Sequence, residues 1–256
     1  MADPQFWTIA ALTVFIVGLS KSGLVISLGL LGVPLLTLVM SPRDAAGLML
    51  PLLLCMDAVA IWNYRRDPDW RLLGILLPGA MIGTAAGWFL WTIVDDAVVT
   101  LSVGLVSLAS VVYFLLPRPA PVEGARPSRP WGTFWGSIAG LTSFISHTGG
   151  PPFQIYVIPQ RLPPVRYAGT NAWFFAIVNA VKLVPYFYLG QLSATNLQNG
   201  LILAPVAVAG VVIGTLLVRR IPTKAFYTIT YWLIFLLSLK LIYDGAVGVF
   251  FSGAAA

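Results

Sequence analysis

Lys21 is the first residue whose type and position suggest chemistry, because it lies in a short polar break between two apolar runs. An isolated ammonium buried in lipid costs several kcal/mol, so Lys21 is expected to face protein or water. The neighbouring Ser20, Ser22 and Gly23 offer hydroxyl and amide donors, which suit an anion near a helix end. These four residues are predicted to bind an anion; the alternative is a surface loop in which Lys21 snorkels.

His147, the single histidine, lies in a second break. The run from Ser146 to Pro152 cannot form one regular helix, because two glycines are followed by two prolines. Glycine lets backbone amides approach a ligand, and the prolines suit the first turn of a new helix. Histidine can donate to an oxyanion and titrates near neutral pH, although a structural histidine is the open alternative. The residues predicted to bind an anion here are Ser146, His147, Thr148, Gly149 and Gly150.

Five further polar side chains lie inside apolar segments. Gln154 and Asn171 are neutral donors and are predicted substrate contacts. Asp57 aligns with Asn179 at an offset of 122 residues, and Lys182 follows Asn179 by one helical turn. For these three, two interpretations remain open: a coupling or substrate site, or a structural ion pair between the two halves of the chain. Snorkelling is a further alternative for Lys182.

The chain carries none of the motifs expected of an enzyme. It has no H-E-x-x-H sequence, nucleophile elbow, Walker loop or carboxylate pair. Its single cysteine, Cys55, excludes an internal disulfide and a cysteine-cluster metal site. We therefore expect no catalytic residue, no metal, no cofactor and no enzymatic activity, and the motifs of an ATP-driven pump are missing.

The composition shows which solvent surrounds these residues. Of 256 residues, 58% are apolar and 9% are charged, against about 25% charged in an ordinary soluble domain. A soluble fold of this size cannot bury so much apolar surface, which excludes a soluble enzyme, a nucleic-acid-binding protein and a disordered regulator. The expected partners are the lipid bilayer and a small anionic substrate, with no nucleic acid. A homodimer stays open as the assembly.

Ten apolar segments alternate with polar connections, and six of them reach the roughly 20 residues that a helix needs to cross a hydrocarbon core. A Pro- and Arg-rich stretch, 117–130, divides the chain into a first transmembrane repeat, 1–116, and a second, 131–256. The stretch itself is predicted to be a cytoplasmic linker. The segments are 6–20, 24–40, 45–64, 72–94, 97–116, 131–146, 149–159, 167–189, 197–218 and 225–244.

The two halves resemble each other in sequence. At an offset of 122, Gly18-Leu19 matches Gly140-Leu141, and at an offset of 127, Gly83-x3-Gly87 matches Gly210-x3-Gly214. Chance matching between two Leu/Ala/Gly-rich halves is the alternative. Five segments per half is an odd number, so the second half would be inserted upside down. The sequence predicts an all-α integral membrane protein of two inverted repeats, the first two segments of each broken or re-entrant, as in secondary transporters.

Basic residues cluster in alternate connections, which predicts the orientation of the chain. Lys and Arg are enriched in cytoplasmic loops. Placing the four basic connections inside leaves Asp95-Asp96 and the stretch 190–196 outside, with both termini external. The clusters are Arg65, Arg66 and Arg71; Arg118, Arg126 and Arg129; Arg161 and Arg166; and Arg219, Arg220 and Lys224.

At these residues the chain resembles the TauE/SafE family, the sulfite-exporter-like permeases of bacteria, over nearly its whole length. The resemblance implies a multi-pass transporter of the bacterial inner membrane for small sulfur-containing anions such as sulfite, sulfoacetate or another organosulfonate. It implies neither export nor uptake. The motifs that carry it are Gly18-Leu19-Ser20-Lys21-Ser22-Gly23, Gly29-Leu30-Leu31-Gly32-Val33-Pro34, Gly140-Leu141-Thr142-Ser143, Gly149-Gly150-Pro151-Pro152 and Arg166-Tyr167-Ala168-Gly169-Thr170-Asn171.

Together these features predict a secondary transporter that binds its anion between the two helix breaks and works by alternating access. An anion channel that uses the same residues as a selectivity filter is the alternative.

Overall fold

A computed structural model describes residues 4–21, 26–116, 128–217 and 223–251. All regular structure in these ranges is helical, with ten α-helices and two short 3₁₀ helices. In chain order they are α1 (Pro4–Lys21), a 3₁₀ helix (Ile26–Leu31), α2 (Gly32–Leu36), α3 (Pro42–Tyr64), α4 (Trp70–Ile93), α5 (Asp96–Leu115), α6 (Arg129–Ser146), α7 (Gly150–Val157), a 3₁₀ helix (Ile158–Gln160), α8 (Pro164–Tyr188), α9 (Ala194–Leu217) and α10 (Thr223–Phe251).

Polar residues in the connections set the starts of the helices. The Ser41 hydroxyl accepts from the amide of Asp44 at the start of α3. The Asp69 carboxylate accepts from two amides at the start of α4, and Asp95 accepts from one at the start of α5. These side chains satisfy amides that have no partner within the helix, so each helix begins at a polar connection.

Five helices are long and apolar enough to cross a membrane: α1, α3, α4, the 96–113 part of α5 and the 194–214 part of α9. Four of them coincide with long segments predicted from the sequence. The fifth, α1, was predicted as a shorter segment, but its helix extends over 18 residues. Helix α8 has 25 residues, or about 37 Å at 1.5 Å per residue, which exceeds a hydrocarbon core of about 30 Å. The chain is therefore an all-α, multi-pass membrane protein.

The second and seventh predicted segments are not single helices. Segment 24–40 contains a 3₁₀ helix and the five-residue helix α2, and segment 149–159 contains α7 and part of a 3₁₀ helix. Glycine and proline are frequent in both, and both residues weaken a continuous α-helix.

Helices α4 and α6 approach each other at glycines. A Cβ atom at Gly83 would lie 1.9 Å from the carbonyl oxygen of Ser137, and one at Gly140 would lie 2.1 Å from that of Ala80. Only glycine permits this backbone contact, as the small-residue spacing in α4 predicts.

Helices α1 and α9 meet in the same way. A Cβ atom at Gly18 would lie 2.7 Å from the carbonyl oxygen of Ala207, and one at Gly210 would lie 2.6 Å from that of Phe15. The remaining large contacts join α5 to α10, and α3 to both α8 and α9.

Helix α3 is the most enclosed of the five candidate spans. In its most apolar stretch 61% of the residues are buried inside the protein, against 33% in the corresponding stretches of α1, α5 and α9. Its polar residue Asp57 therefore lies in the interior of the protein and away from lipid.

Candidate functional site

The second predicted break is a sharp turn between α6 and α7. Helix α6 ends at Ser146, and His147 adopts a left-handed backbone conformation with φ of 56°. Helix α7 begins at Gly150, with prolines in its first turn. The prediction that this stretch cannot be one regular helix is confirmed. A left-handed conformation is uncommon outside glycine, so His147 is held there by its surroundings.

Lys21, at the end of α1, is an ion-paired cation. Its Nζ lies 2.5 Å from Oδ1 of Asp57 in α3 and 5.5 Å from the ring centre of Phe175 in α8. Its side chain is 14% exposed, so it is largely enclosed by protein. The predicted neighbours Ser22 and Gly23 lie outside the described residues.

Asp57 and Asn179 join α3 to α8. The Asn179 amide Nδ2 donates to Oδ2 of Asp57 at 2.6 Å, while the other carboxylate oxygen accepts from Lys21. Both residues are almost completely buried. Each oxygen of Asp57 therefore has a partner, which offsets the cost of removing the carboxylate from water.

Lys182 is fully buried, so it does not snorkel to the surface. Its Nζ donates to the Ser143 carbonyl at 2.9 Å, to the Ser143 hydroxyl at 3.1 Å and to Nδ1 of His147 at 2.7 Å. Three acceptors match the three protons of an ammonium. No carboxylate of the described residues forms an ion pair with Lys182.

His147 links Lys182 to α3. Its Nε2 lies 3.0 Å from the carbonyl oxygen of Ala46. Because a carbonyl only accepts, the consistent assignment places the ring proton on Nε2 and leaves Nδ1 to accept from Lys182. Both ring nitrogens thus have protein partners. Before His147 can donate from Nε2 to an anion, its hydrogen bond to the Ala46 carbonyl must break.

A small cavity lies between these groups, bounded by the ends of α1 and α6 and by the middle of α3 and α8. Its free volume is about 60 Å³, compared with the ~10–15 Å³ that one water needs on the same measure. It therefore has room for a small polyatomic ion. The polar lining is Ser20, Lys21, Ser143, His147, Asn171 and Asn179; the rest is Val17, Gly29, Leu30, Gly32, Met49, Leu53, Gly150 and Phe175.

The structure divides the predicted site residues into three groups. Ser20, Lys21, His147, Gly150, Asn171 and Asn179 line the cavity. Asp57 and Lys182 do not line the cavity, but they are bonded to the lining residues Lys21 and His147 respectively. The remaining predicted residues do not line it: Ser146, Thr148, Gly149 and Gln154.

Those remaining residues have other surroundings. The hydroxyls of Ser146 and Thr148 lie 2.6 Å apart and bond to each other. Gly149 packs against α6, where a Cβ atom would lie 2.6 Å from the Ala139 carbonyl oxygen. Gln154 is buried, and its amide nitrogen has no partner among the described residues.

Among the lining residues that the sequence interpretation missed, Ser143 and Phe175 contact the two lysines. Ser143 receives two hydrogen bonds from Lys182, and the ring of Phe175 lies beside Lys21. The repeat offset could have indicated Ser143, because it matches Ser143 to the predicted residue Lys21. It could not have indicated Phe175, whose match is Leu53.

Ionisable side chains beside a cavity inside a multi-pass helical fold often mark the path of a substrate or an ion. The sequence model of the family described as sulfite exporter TauE/SafE matches residues 10–241. The chain belongs to this family, and it is a multi-pass protein of the inner membrane.

Two curated proteins illustrate the likeness. The chain is 28% identical over 163 residues to "Probable inner membrane transporter protein TsaS" of Comamonas testosteroni, covering 62% of this chain and 66% of that protein. It is 28% identical over 174 residues to "Probable sulfite/organosulfonate exporter TauE" of Cupriavidus necator, covering 66% and 65%. The matches thus span just under two thirds of both relatives. No solved structure matches the chain significantly.

Proposed function

We propose that this protein is a secondary transporter that moves small sulfur-containing anions, such as sulfite, sulfoacetate or another organosulfonate, across the bacterial inner membrane by alternating access. The observation that carries the proposal is the small cavity lined by Lys21 and by His147, which is bonded to Lys182. Two amines against one carboxylate favour an anion over a cation. The name of the Cupriavidus necator relative points to sulfite and organosulfonates.

The cavity offers donors to the oxygens of such an anion. Lys21 supplies an ammonium, Ser143 a hydroxyl and Asn171 an amide NH2 group. The Ser20 hydroxyl donates to the Val17 carbonyl and must turn from it to reach an anion. Charge-assisted hydrogen bonds from an ammonium to an oxyanion are among the stronger polar contacts in proteins. His147 and Gly150 complete the proposed contacts.

Inverted repeats of residues 1–116 and 131–256 are part of the proposal, and the helix contacts support them. The contact of Gly18 with Ala207 has a counterpart in the contact of Gly140 with Ala80. The glycines are 122 residues apart and the alanines 127 apart, the two offsets seen in the sequence. A two-fold relationship between the halves exchanges α1 with α6 and α9 with α4, which matches these two contacts.

The cavity lining follows the same relationship. Three lining residues of the first half each lie 122 positions before a lining residue of the second half. A site at the interface of two repeats is typical of secondary transporters, because one repeat can then move against the other around a fixed substrate. The pairs are Lys21 and Ser143, Met49 and Asn171, and Leu53 and Phe175.

The ends of α1 and α6 support a break between the first two segments in each half. Lys21, the last residue of α1, bonds to Asp57, which lies well inside the 23-residue helix α3. His147, just after α6, bonds to Lys182, which is buried within α8. Both helices therefore end at the depth of the cavity, where irregular backbone is tolerated because it lines a polar site.

A binding screen of the purified protein tests this function. Isothermal titration with sulfite, sulfoacetate, sulfate and taurine is expected to show binding of at least one of the first two. In Lys21→Ala the affinity is expected to fall at least about tenfold, the value of one charge-assisted bond. Lys240→Ala is the control, because Lys240 is half exposed on α10 and pairs only with Asp244 in the described structure. If neither sulfite nor sulfoacetate binds the folded wild type, the proposal is contradicted.

A further inference from the structure

The charges around the cavity add up to one uncompensated positive charge. Lys21 is neutralised by Asp57, to which it is directly bonded. Lys182 is bonded only to neutral groups in the described structure, namely Ser143 and His147. His147 is neutral when Nδ1 accepts from Lys182 and Nε2 donates to Ala46.

The surroundings of Lys182 fit an ammonium. All three of its protons have acceptors, and one acceptor is the Ser143 carbonyl in the last turn of α6. The C-terminal carbonyls of a helix carry partial negative charge, which stabilises a cation without cancelling its full charge. On the basis of these three acceptors we assign Lys182 the ammonium form.

No other charged group of the described structure compensates this positive charge. Asp57 faces Lys21 of α1 and Asn179 of α8, with Lys182 close enough to interact electrostatically. From the α6–α7 turn the nearby titratable group is His147. The phenol of Tyr186 is buried and donates to the Phe144 carbonyl. The described parts of α2, α5 and α9 bring no charged side chain to Asp57.

We propose that the cavity accepts one net negative charge: a singly charged oxyanion enters alone, and a doubly charged one enters together with one proton held on Asp57. The inference rests on the proposed function and adds the charge and proton stoichiometry of the cargo. A second negative charge in a buried site is strongly unfavourable unless it is compensated. Asp57 is the proton acceptor because it is the anionic side chain bonded to the cavity-lining Lys21, and it takes up the proton from the aqueous solution.

Proton counting during binding tests the proposal. Titration calorimetry of the full-length protein in several buffers of different ionisation enthalpy gives the number of protons taken up per anion. The probes are methanesulfonate and sulfate, whose charges are fixed near neutral pH. Methanesulfonate is expected to bind with no proton uptake, and sulfate with uptake of about one proton and an affinity that rises as pH falls.

Four versions of the Asp57–Asn179 pair separate net charge from individual contacts, because their side chains have similar shapes. Asn179→Asp lowers the net charge to zero, and methanesulfonate affinity is expected to fall at least about tenfold at neutral pH. Asp57→Asn raises the charge to two, and sulfate should then bind without a proton. The double variant Asp57→Asn/Asn179→Asp restores the wild-type charge and is expected to bind methanesulfonate within about threefold of wild type.

Each result either supports or overturns the proposed charge and proton stoichiometry. Methanesulfonate binding with a proton, sulfate binding to wild type without one, or sulfate failing to bind between pH 5.5 and 8 would overturn the proposal. So would equal methanesulfonate affinity in wild type and Asn179→Asp. If a single variant fails to fold, the wild-type proton counts and the double variant still decide. Wild type that binds no sulfur anion at all refutes the proposed function itself, which is a different result.

Discussion

Asp57 and Asn179 form a 2.6 Å hydrogen bond although 122 residues separate them along the chain. That separation equals the offset at which the two halves match in sequence, so in the proposed repeat the two residues occupy equivalent positions, and they contact each other. In a two-fold arrangement, equivalent positions meet only at the axis. The cavity lies beside this contact, and the chemical differences between the halves, carboxylate against amide and Lys21 against Ser143, make the site asymmetric.

Removing the Asp57 carboxylate should destabilise the protein. Asp57→Ala leaves Lys21 largely enclosed without its counter-ion, and breaking one side of a buried ion pair costs about 3–5 kcal/mol. The measurement is thermal unfolding in detergent. Asp244→Ala is the control, because that carboxylate is exposed in its pair with Lys240 and should matter by less than about 1 kcal/mol. Equal unfolding temperatures for the two variants would show that the Lys21–Asp57 pair contributes little.

His147 is expected to act as a hydrogen-bonding bridge between Lys182 and α3. His147→Ala removes one of three acceptors from a fully buried Lys182, and an unmet buried bond costs about 1–3 kcal/mol. His147→Gln retains a donor and an acceptor and should unfold at a temperature between the alanine variant and wild type. If His147→Ala is as stable as wild type, the bridge is not structural.

The glycine contact between α4 and α6 should reject even one methyl group. In Gly83→Ala the new Cβ atom would lie 1.9 Å from the Ser137 carbonyl oxygen, and overpacking of this kind costs about 1–3 kcal/mol or more. Gly74→Ala on the same helix is the matched control, since a Cβ atom there meets nothing within 4 Å. That control should be neutral or more stable by up to about 1 kcal/mol. Yield and unfolding temperature in detergent check both.

The proposed orientation can be tested by labelling. Cys55 is exposed, so it is first replaced by serine. A single cysteine at Ser193, between α8 and α9, should react with an impermeant thiol reagent in intact cells, because this loop has no basic residue and is expected outside. A cysteine at Arg66, between α3 and α4, should be protected until the cells are opened. The reverse pattern would mean that the chain is inserted the other way.

Local features of the sequence predicted the parts of the structure that local chemistry determines. The turn at His147 follows from neighbouring glycines and prolines. The caps that Asp69 and Asp95 provide for α4 and α5 were not predicted. The partner of Asp57 was not predicted from the sequence. The sequence left open an ion pair between the two halves, whereas Asp57 pairs with Lys21 of its own half and Lys182 bonds to Ser143 and His147, because the partners depend on how the helices cross.

Other site residues could not be found from local patterns. Ser143 lies in an ordinary helical run, and its role as acceptor for Lys182 arises only when α6 packs beside α8. The hydroxyls of Ser146 and Thr148 looked suitable for an anion, yet they bond to each other. A side chain's type shows what it can bind, whereas its partner depends on packing between helices.

Counterflow in proteoliposomes tests the central claim most directly. Vesicles that contain the protein and a high internal concentration of unlabelled sulfoacetate are diluted into a trace of labelled sulfoacetate. A carrier that alternates access to one cavity should accumulate label transiently above its equilibrium level, and Lys21→Ala should reduce this accumulation while Lys240→Ala does not. Label that only equilibrates, without transient accumulation and with a current that follows the membrane potential, would contradict a carrier and favour an anion channel.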